Sequence, residues 1–546
     1  MSSDLAGLRE RITAEFDAVV IGAGFSGLYA IYRLRKAGFS VKVLEAAPDI
    51  GGTWYFNRYP GARCDVESMS YSYSFDNELQ QEWEWSERYA GQAEILRYIN
   101  HVADRFDLRS DIQFNTLVTR AVFDEDAGRW LVETEAGEVF SGRFCLLASG
   151  CLSVPNKPQI EGLDDFEGDM YHTAFWPHEK VDFSGKRVGV IGTGSSGVQA
   201  IPLIAAEAEH VTVFQRTANY VVPAHNGPLK PEYVAEWKRH YPELRDRARY
   251  AVRIGQATVG FTPRVSAALE ITPEEQREEL ERRWGHGGLM MWEPFTDVLR
   301  DERANEVVAE FVREKIREAV KDPELAEKLC PKGFPYGAKR LCVGTDYYET
   351  FNRDNISLVD LNEQPIERVM ANGIRTTERD YEFDAIVLAT GFDAMTGAIL
   401  KMDLIGRGGA TMREKWAAGP RTHMGIMMAD FPNLFMITGP GSPAAFSNLV
   451  LSIEQHVEWV TDCLSYVRDK GCDRIEPTRE AEDEWCDRLN ERASKTLFPR
   501  ANSWYMGANI PGKPRAFMVY LGGVGPYREH CEEVARDGYP GFAMGS

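Results

Sequence analysis

The stretch FDAVVIGAGFSGLYAIYRLRKAGFSVKVLE, from Phe16 to Glu45, decides the fold of this 546-residue chain. An apolar strand runs into a glycine-rich turn, and a helix follows with apolar residues at Leu28, Ile31 and Leu34. A second apolar strand then ends in the acid Glu45. This order of strand, turn, helix and strand predicts a βαβ unit with a parallel sheet.

The turn has the spacing Gly22-x-Gly24-x-x-Gly27, which is typical of dinucleotide binding. Glycines let the backbone approach a pyrophosphate, and the N-terminus of the helix favours its negative charge. The Glu45 carboxylate can accept hydrogen bonds from a ribose. We therefore predict a dinucleotide site here, and the alternative is a tight strand–helix turn that binds no ligand.

The same pattern recurs in KRVGVIGTGSSGVQAIPLIAAEAEHVTVFQRT, from Lys186 to Thr217. Its second strand ends in Arg216 and Thr217, where the first unit has an acid. A guanidinium attracts a ribose 2′-phosphate that a carboxylate would repel, so this site should prefer NADPH over NADH. We predict FAD in the first unit and NADPH in the second. The second turn supplies these residues: Gly192, Thr193, Gly194, Ser195, Ser196 and Gly197.

Two apolar runs mark the points where the chain passes between the two units. FCLLASG ends at Gly150 and FDAIVLATG ends at Gly391. We predict an α/β protein with two Rossmann-like domains, the second inserted in the first, and a helical insertion that includes a helix starting near Thr272. The predicted segments are 1–150 and 388–546 for the FAD domain, 151–222 and 336–387 for the NADPH domain, and 223–335 for the helical insertion.

Composition excludes several classes of function. The net charge of −21 disfavours binding to nucleic acid or to an anionic membrane. The N-terminus is polar, and no apolar run approaches the roughly 20 residues that span a bilayer. The nine cysteines include no CxxC pair, and the histidines lack metal-ligand spacing, so we expect no disulfide framework, dithiol centre or metal site. A reducing cytoplasm is the expected location.

The stretch FEGDMYHTAFWP carries a more specific pattern. Its residues Phe166, Gly168, His172, Trp176 and Pro177 match the fingerprint FxGxxxHxxxWP, so the chain resembles the Baeyer–Villiger monooxygenases. GTWYFNRYPGARCD, KRLCVGTDYYETFNRDN and FPNLFMITGPGSP add to this resemblance, which is strongest to the phenylacetone-oxidising members. The resemblance implies FAD, NADPH and O2, and conversion of a small ketone to an ester or lactone through a flavin peroxide. A monomer is compatible with it.

The resemblance also implies roles for single residues. Arg340 is expected to be catalytic as a permanent cation, and Asp65 to hold it in place. Lys339 is expected on the NADPH 2′-phosphate beside Arg216, and Trp504 at the nicotinamide end. His172 is expected to organise the coupling of the two domains. Further cofactor contacts are implied at Ser26, Gly52, Thr53, Trp54, Asp65, Tyr71, Val118, Gln199 and Leu449.

The loop GPGSPAAFSNLV resembles the segment that lines the substrate pocket in this family. Residues implied for the pocket are Cys151, Ala444, Ala445, Phe446 and Leu449. These residues are compatible with aryl, cyclic and bulkier ketones as substrates, and the sequence does not choose among them.

Three other functions remain open at this point. A flavin-containing monooxygenase would oxygenate sulfur or nitrogen, but relatives of that type lack the Trp-Pro ending of the fingerprint. A disulfide reductase-like flavoprotein is disfavoured by the absence of CxxC. A flavin-binding sensor without catalysis is disfavoured by the intact Arg216, Lys339 and Arg340.

Overall fold

The first sheet is built from both ends of the chain and contains the first glycine turn. The structure is a computed structural model that describes residues 2–545. Strand β1 pairs in parallel with β2 on one side and β6 on the other, and β4 to β6 form an antiparallel meander. Its strands are β1 (Ile12–Ile21), β2 (Val41–Leu44), β3 (Ile112–Gln113), β4 (Val118–Asp124), β5 (Arg129–Thr134), β6 (Val139–Leu147), β17 (Asp403–Ile405) and β18 (Leu434–Met436).

The second sheet is entirely parallel and contains the second glycine turn. Its five strands lie in the order β12-β9-β8-β16-β7. The sequence pattern finds β8 and β9, because both are short apolar runs bounded by turn residues. The strands are β7 (Asp169–His172), β8 (Arg187–Ile191), β9 (His210–Gln215), β12 (Ile356–Asp360) and β16 (Ala385–Leu388).

The chain passes from the first sheet to the second and back again through two segments that lie side by side. The outward segment follows β6 and the returning segment follows β16. The backbone N–H of Asn156 donates to the carbonyl of Gly391 at 2.8 Å, and Thr390 Oγ1 donates to the carbonyl of Asn156 at 2.6 Å. The predicted α/β class, with the second unit inserted in the first, is confirmed. The exact domain boundaries stay a prediction.

A block of helices is inserted into the second unit between two short paired strands, β10 (Val221–Pro223) and β11 (Cys342–Gly344). The predicted helix start at Thr272 is confirmed: its side chain and that of Glu275 form a capping box. The helices of the block are α7 (Pro231–Arg239), α8 (Tyr241–Asp246), α9 (Pro273–His286), α10 (Glu302–Ala319) and α11 (Pro323–Leu329).

The remaining helices cover the sheets, and two small antiparallel sheets complete the fold. The helices are α1 (Ser2–Glu10), α2 (Phe25–Lys36), α3 (Thr53–Phe56), α4 (Asn77–Glu82), α5 (Gln92–Arg105), α6 (Ser195–Glu207), α12 (Tyr347–Thr350), α13 (Gly397–Lys401), α14 (Met412–Lys415), α15 (Leu449–Asp469), α16 (Arg479–Ser494) and α17 (Val524–Arg536). The small sheets contain β13 (Ile366–Met370), β14 (Gly373–Thr376) and β15 (Asp380–Glu382), and β19 (Arg474–Pro477) and β20 (Phe542–Gly545).

The buried carboxylate of Glu67 links the helical block to the first unit through hydrogen bonds and an ion pair. Glu67 is 1% exposed and accepts hydrogen bonds from Arg88 at 2.7 Å and from the hydroxyl of Tyr233 at 2.8 Å. His286, the last residue of α9, lies 3.4 Å from the same carboxylate. Burial opposes the charge of Glu67, but His286 and Arg88 outweigh it and lower its pKa to about 2. Glu67 lies two residues after Asp65, so this network also anchors the loop that carries Asp65.

Candidate active site

The first glycine turn joins β1 to α2 through very close backbone contacts. Gly22 has a φ of +107°, and a Cβ there would lie 2.6 Å from the carbonyl oxygen of Ala148. A Cβ on Gly27 would lie 1.9 Å from the carbonyl oxygen of Gly22. Gly24 is the N-cap of α2. The glycines at the first and third positions are therefore required for the turn itself.

Glu45 connects the tip of β2 to this turn. One carboxylate oxygen accepts from the N–H of Ala23 at 2.6 Å, and the other accepts from the N–H of Ala47 at 2.8 Å. Burial raises the pKa of Glu45, and these backbone donors partly offset that effect. The carboxylate thus lies beside the turn, where a ribose would reach its remaining lone pairs.

The loop after β2 brings further predicted contacts to the turn. Gly52 has a φ of +54°, and a Cβ on it would lie 3.1 Å from the Cα of Gly24. The backbones at Gly24 and Gly52 therefore face each other without intervening side chains. This arrangement is compatible with an extended ligand that lies against both. Trp54 donates from its indole to the hydroxyl of Tyr71 at 3.2 Å. Of the other predicted contacts, Thr53 is exposed, Ser26 is buried in the first turn of α2, and Val118 is buried in β4.

The second turn repeats the geometry of the first with an open middle position. A Cβ on Gly192 would lie 2.4 Å from the carbonyl of Ala389, and one on Gly197 would lie 2.2 Å from the carbonyl of Gly192. A Cβ on Gly194 would meet no described atom within 4 Å. Thr193 donates to the carbonyl of Thr217 at 3.1 Å, which ties the turn to the end of β9. Ser195 and Ser196 begin α6, where backbone N–H groups are free to bind an anion.

Two cations lie together beyond this turn. Arg216 is exposed at the end of β9, and neither it nor Lys339 forms an ion pair with any carboxylate of residues 2–545. Burial, and next the positive charge of Arg216, lower the pKa of Lys339. The ammonium of Lys339 also lies 4.5 Å from the ring centroid of Phe334. A pair of cations without a carboxylate partner fits a phosphate group.

Arg340 and Asp65 meet although 275 positions separate them. Arg340 Nη2 and Nε donate to Asp65 Oδ2 at 2.6 Å and 3.1 Å. Arg340 Nη1 donates to the carbonyl of Ala445 at 2.7 Å, and its guanidinium carbon lies 5.8 Å from the ring of Trp292. The side chain is therefore fixed by the first unit and by the loop predicted to line the pocket.

This arrangement keeps Arg340 charged. Burial disfavours the charge of the guanidinium, but the neighbouring groups together, with Asp65 foremost, outweigh burial and raise the pKa of Arg340 above its usual range. A guanidinium has donors only and does not lose its proton in proteins. The site can therefore stabilise negative charge on a neighbouring oxygen without transferring a proton to it.

The fingerprint segment lies within the second sheet, where it forms an edge strand and the turn after it. Asp169–His172 form edge strand β7, and a short 3₁₀ turn follows at Thr173–Phe175. A Cβ on Gly168 would lie 2.6 Å from the ring of Phe166, so the glycine gives that ring its space.

His172 lies where the two connecting segments meet. Its Nδ1 accepts from the N–H of Ala174 at 3.0 Å, and its Nε2 lies 3.4 Å from the carbonyl of Asn156 and 3.2 Å from the hydroxyl of Thr390. Burial lowers the pKa of His172, which favours a neutral ring. These contacts support a role in organising the connection between the units.

Two further predicted residues, Trp176 and Gln199, make contacts within the second unit and between the two units. Trp176 is buried against Tyr171, with ring centroids 5.1 Å apart, and it is followed by the half-buried Pro177. Gln199, predicted as a cofactor contact, accepts from the hydroxyl of Tyr59 at 2.8 Å and donates to the carbonyl of Arg63 at 3.1 Å. Its observed contacts thus join α6 to the loop of the first unit, and its contact with a cofactor stays a prediction.

The five predicted pocket residues divide between two apolar clusters, and Leu449 packs against both. Cys151, Ala444 and Leu449 share one apolar cluster with Trp504, the residue predicted at the nicotinamide end. Phe446 lies instead in an aromatic cluster, with its ring centroid 4.7 Å from Trp292 and 4.5 Å from Tyr505. Ala445 is buried in the main core and contributes its carbonyl to Arg340.

A narrow cavity of about 20 Å³ lies behind Phe446, lined also by Trp292 and Phe498. This volume holds about one water molecule, so the cavity itself is too small for a ketone.

Sequence reasoning missed two features of this site. The carbonyl of Ala445 orients Arg340, but a backbone group carries no signal in the sequence. Tyr505 lies between the two clusters, and only its place directly after Trp504 could have pointed to it. Among residues 2–545, no group of histidines, cysteines or acids is arranged to hold a metal, and no helix is long and apolar enough to cross a membrane. All nine cysteines are free thiols.

The chain matches known proteins over nearly its whole length. The family described as pyridine nucleotide-disulphide oxidoreductase matches residues 19–250. A Baeyer-Villiger monooxygenase of Pseudooceanicola batsensis is 46% identical over 97% of this chain and 96% of that protein. A phenazine N-monooxygenase of Lysobacter antibioticus is 43% identical over 97% of each chain. The solved structure described as oxidized steroid monooxygenase bound to NADP is 52% identical, with a TM-score of 0.93 over 97% of this chain and 99% of that chain.

Proposed function

This chain belongs to the Baeyer–Villiger monooxygenases, and from that premise we propose which residues carry its reaction and which ketones it accepts. The enzyme inserts one oxygen atom next to the carbonyl of a ketone and forms an ester or lactone. FAD and NADPH are its cofactors. When bound, NADPH would supply the hydride, and the reduced FAD would activate the oxygen that is inserted. Molecular oxygen is the proposed source of the inserted atom.

Arg340 is the proposed catalytic residue, and the observation that carries this role is its fixation between Asp65 and the carbonyl of Ala445. Its charge is permanent and its position is set before substrate binds. Such a preorganised cation stabilises the negative charge that develops on oxygen during the reaction. Asp65 is the proposed positioning residue, because both of its contacts with Arg340 fix the plane of the guanidinium.

NADPH is proposed to place its 2′-phosphate between Arg216 and Lys339. These two cations lie close enough for one charge to lower the pKa of the other, and a phosphate would relieve that repulsion. The pyrophosphate is proposed to lie over Gly194, where the backbone is open. FAD is proposed to occupy the corresponding turn of the first unit, with its ribose at Glu45.

The proposed substrate is an uncharged ketone with an aryl, cyclic or bulkier hydrocarbon body. The apolar residues that pack together with Cys151, Ala444 and Leu449 are Leu152, Ala394, Met395, Trp504 and Met518. Apolar walls bind hydrocarbon, and a few polar groups orient it. The side chains at positions 151 and 444 are small, and on this basis we propose a substrate larger than the smallest ketones.

The test is incubation of the FAD-loaded protein with NADPH, air and a ketone panel that includes phenylacetone and cyclohexanone. We expect products that are one oxygen heavier than their ketones, identified as esters or lactones by mass spectrometry. One relative is named for N-oxygenation, so the panel also contains thioanisole and a tertiary amine. Oxygenation of these two compounds with no ketone turnover would favour the heteroatom alternative.

A further inference from the structure

Tyr505 has a buried hydroxyl that takes no part in the proposed roles of Arg340, Asp65 and the cofactor-binding residues. Its side chain is 0% exposed, and its hydroxyl donates a hydrogen bond to no acceptor among residues 2–545. Buried polar groups in native proteins are almost always paired, because an unpaired one loses its hydrogen bonds to water. The hydroxyl therefore points to an acceptor that the described protein does not supply.

The position of Tyr505 identifies where that acceptor would be. Its ring centroid lies 4.5 Å from Phe446 and 4.3 Å from Trp504, so it lies between the pocket loop and the residue predicted at the nicotinamide end. After burial, the charges of Arg340 and Asp65 are the strongest influences on its hydroxyl. The hydroxyl is thus a neighbour of the guanidinium that Asp65 and Ala445 hold.

The chemistry of these neighbours leaves the tyrosine proton free. Arg340 has only hydrogen-bond donors, so it can donate a hydrogen bond to the tyrosine oxygen but cannot accept one from the tyrosine hydroxyl. Burial raises the pKa of Tyr505, which keeps the hydroxyl protonated and able to donate. Such a donor beside a cation suits an oxygen atom that gains negative charge, such as a carbonyl oxygen under nucleophilic attack.

We propose that the hydroxyl of Tyr505 donates a hydrogen bond to the carbonyl oxygen of the ketone, beside Arg340, and is a further catalytic residue. This inference rests on the function proposed above. Arg340 provides the positive charge, and the hydrogen bond from Tyr505 orients the carbonyl group. Together they hold the ketone with its oxygen towards the guanidinium. The nicotinamide carboxamide is the other carbonyl that could reach this donor, and the experiment separates the two.

The first measurement compares Tyr505→Phe with the parent protein in the FAD-loaded state. Phenylalanine keeps the ring against Phe446 and removes only the hydroxyl. We expect kcat/KM for phenylacetone to fall roughly 100-fold, at the lower end of the range found when one donor to a developing oxyanion is removed, because Arg340 remains in place. The rate of flavin reduction by NADPH should stay at the parent value, and more hydrogen peroxide should form per NADPH.

A matched control is Tyr89→Phe. Tyr89 also has a buried hydroxyl without a partner among the described residues, but it packs against Gly288 of the helical block. We expect this variant to retain the parent kcat/KM. An equal loss in both variants would mean that removal of any buried hydroxyl disturbs the fold, and it would overturn the assignment to Tyr505.

A second measurement requires no turnover. The unreactive amide 2-phenylacetamide keeps the carbonyl of phenylacetone, and propylbenzene lacks it. We expect Tyr505→Phe to weaken binding of the amide roughly 3- to 10-fold, which is the usual net effect of one hydrogen bond, and to leave propylbenzene binding unchanged. Equal binding of the amide by both proteins would overturn the proposal.

The nicotinamide alternative has its own signature. If the carboxamide of NADPH is the acceptor, Tyr505→Phe will weaken NADP⁺ binding and slow flavin reduction while amide binding stays unchanged, and the proposal fails. Failure of the proposed function looks different. The parent protein would then form no ester from any ketone, while the amide measurement would still decide whether Tyr505 binds a carbonyl.

Discussion

Arg340 provides the clearest prediction at the scale of single residues. Arg340→Ala removes the fixed charge but leaves both glycine turns intact, so NADPH should still reduce the flavin. Ester yield should fall at least about 100-fold, because the developing negative charge loses its stabilising partner. Stopped-flow reduction and product analysis measure the two steps separately. Ester formation at the parent rate would contradict the role given to Arg340.

Arg216 is the residue proposed to set the preference for NADPH over NADH. Arg216→Ala should raise the KM for NADPH roughly 10- to 100-fold, since hydrogen bonds to charged groups contribute about 1.5–3 kcal/mol, and it should leave the KM for NADH nearly unchanged. Arg187→Ala is the control, because Arg187 lies in the same sheet but is paired with Glu382 and Asp384. Equal losses with both cofactors would refute the 2′-phosphate site.

At the scale of an element, we predict that the glycines of one turn have two separate roles, one in folding and one in cofactor binding. Gly197→Ala would place a Cβ 2.2 Å from the carbonyl of Gly192, so we expect lower thermal stability. Gly194→Ala would place its Cβ in open space, so stability should hold while the KM for NADPH rises about tenfold, equivalent to about 1.4 kcal/mol. Thermal melting and initial rates on both variants test this division. A loss of stability at Gly194 would contradict it.

Both βαβ units, the inserted order and the helix start at Thr272 follow from the sequence, because apolar periodicity and glycine spacing are local signals. The meeting of Asp65 with Arg340 came only from the resemblance, since no local pattern joins residues that are 275 positions apart. The carbonyl of Ala445 and the clustering of the pocket residues depend on tertiary packing. The placement of β7 inside the second sheet depends on it too, because a four-residue edge strand has a weak pattern.

At the scale of the whole molecule, the Glu67 network joins the first unit to the helical block. Its folded pKa of about 2 lies below the unfolded value of about 4.3, so the network stabilises the fold fully above about pH 5. That contribution is lost as the pH falls from about 5 towards 2. Glu67→Gln should therefore lower the melting temperature at pH 7 and flatten its decline between pH 5 and pH 3.

The control for this prediction is Glu327→Gln. Arg317 and Lys332 lower the pKa of Glu327 to about 2 as well, but its side chain is 45% exposed. Solvent screens such surface pairs, so the melting curve of this variant should follow that of the parent at every pH. Similar behaviour of the two variants would show that Glu67 contributes no more than a surface ion pair.

Because the two connecting segments beside His172 lie side by side, we expect that the NADPH unit can be replaced by the corresponding unit of a relative. Asn156 and Gly391 are hydrogen-bonded neighbours, so the unit leaves and rejoins the rest of the chain at almost one point in space. A protein segment whose ends are adjacent can be replaced by a homologous one without stretching its host. Hybrid enzymes cut at these two residues should therefore inherit cofactor preference from one parent and ketone preference from the other.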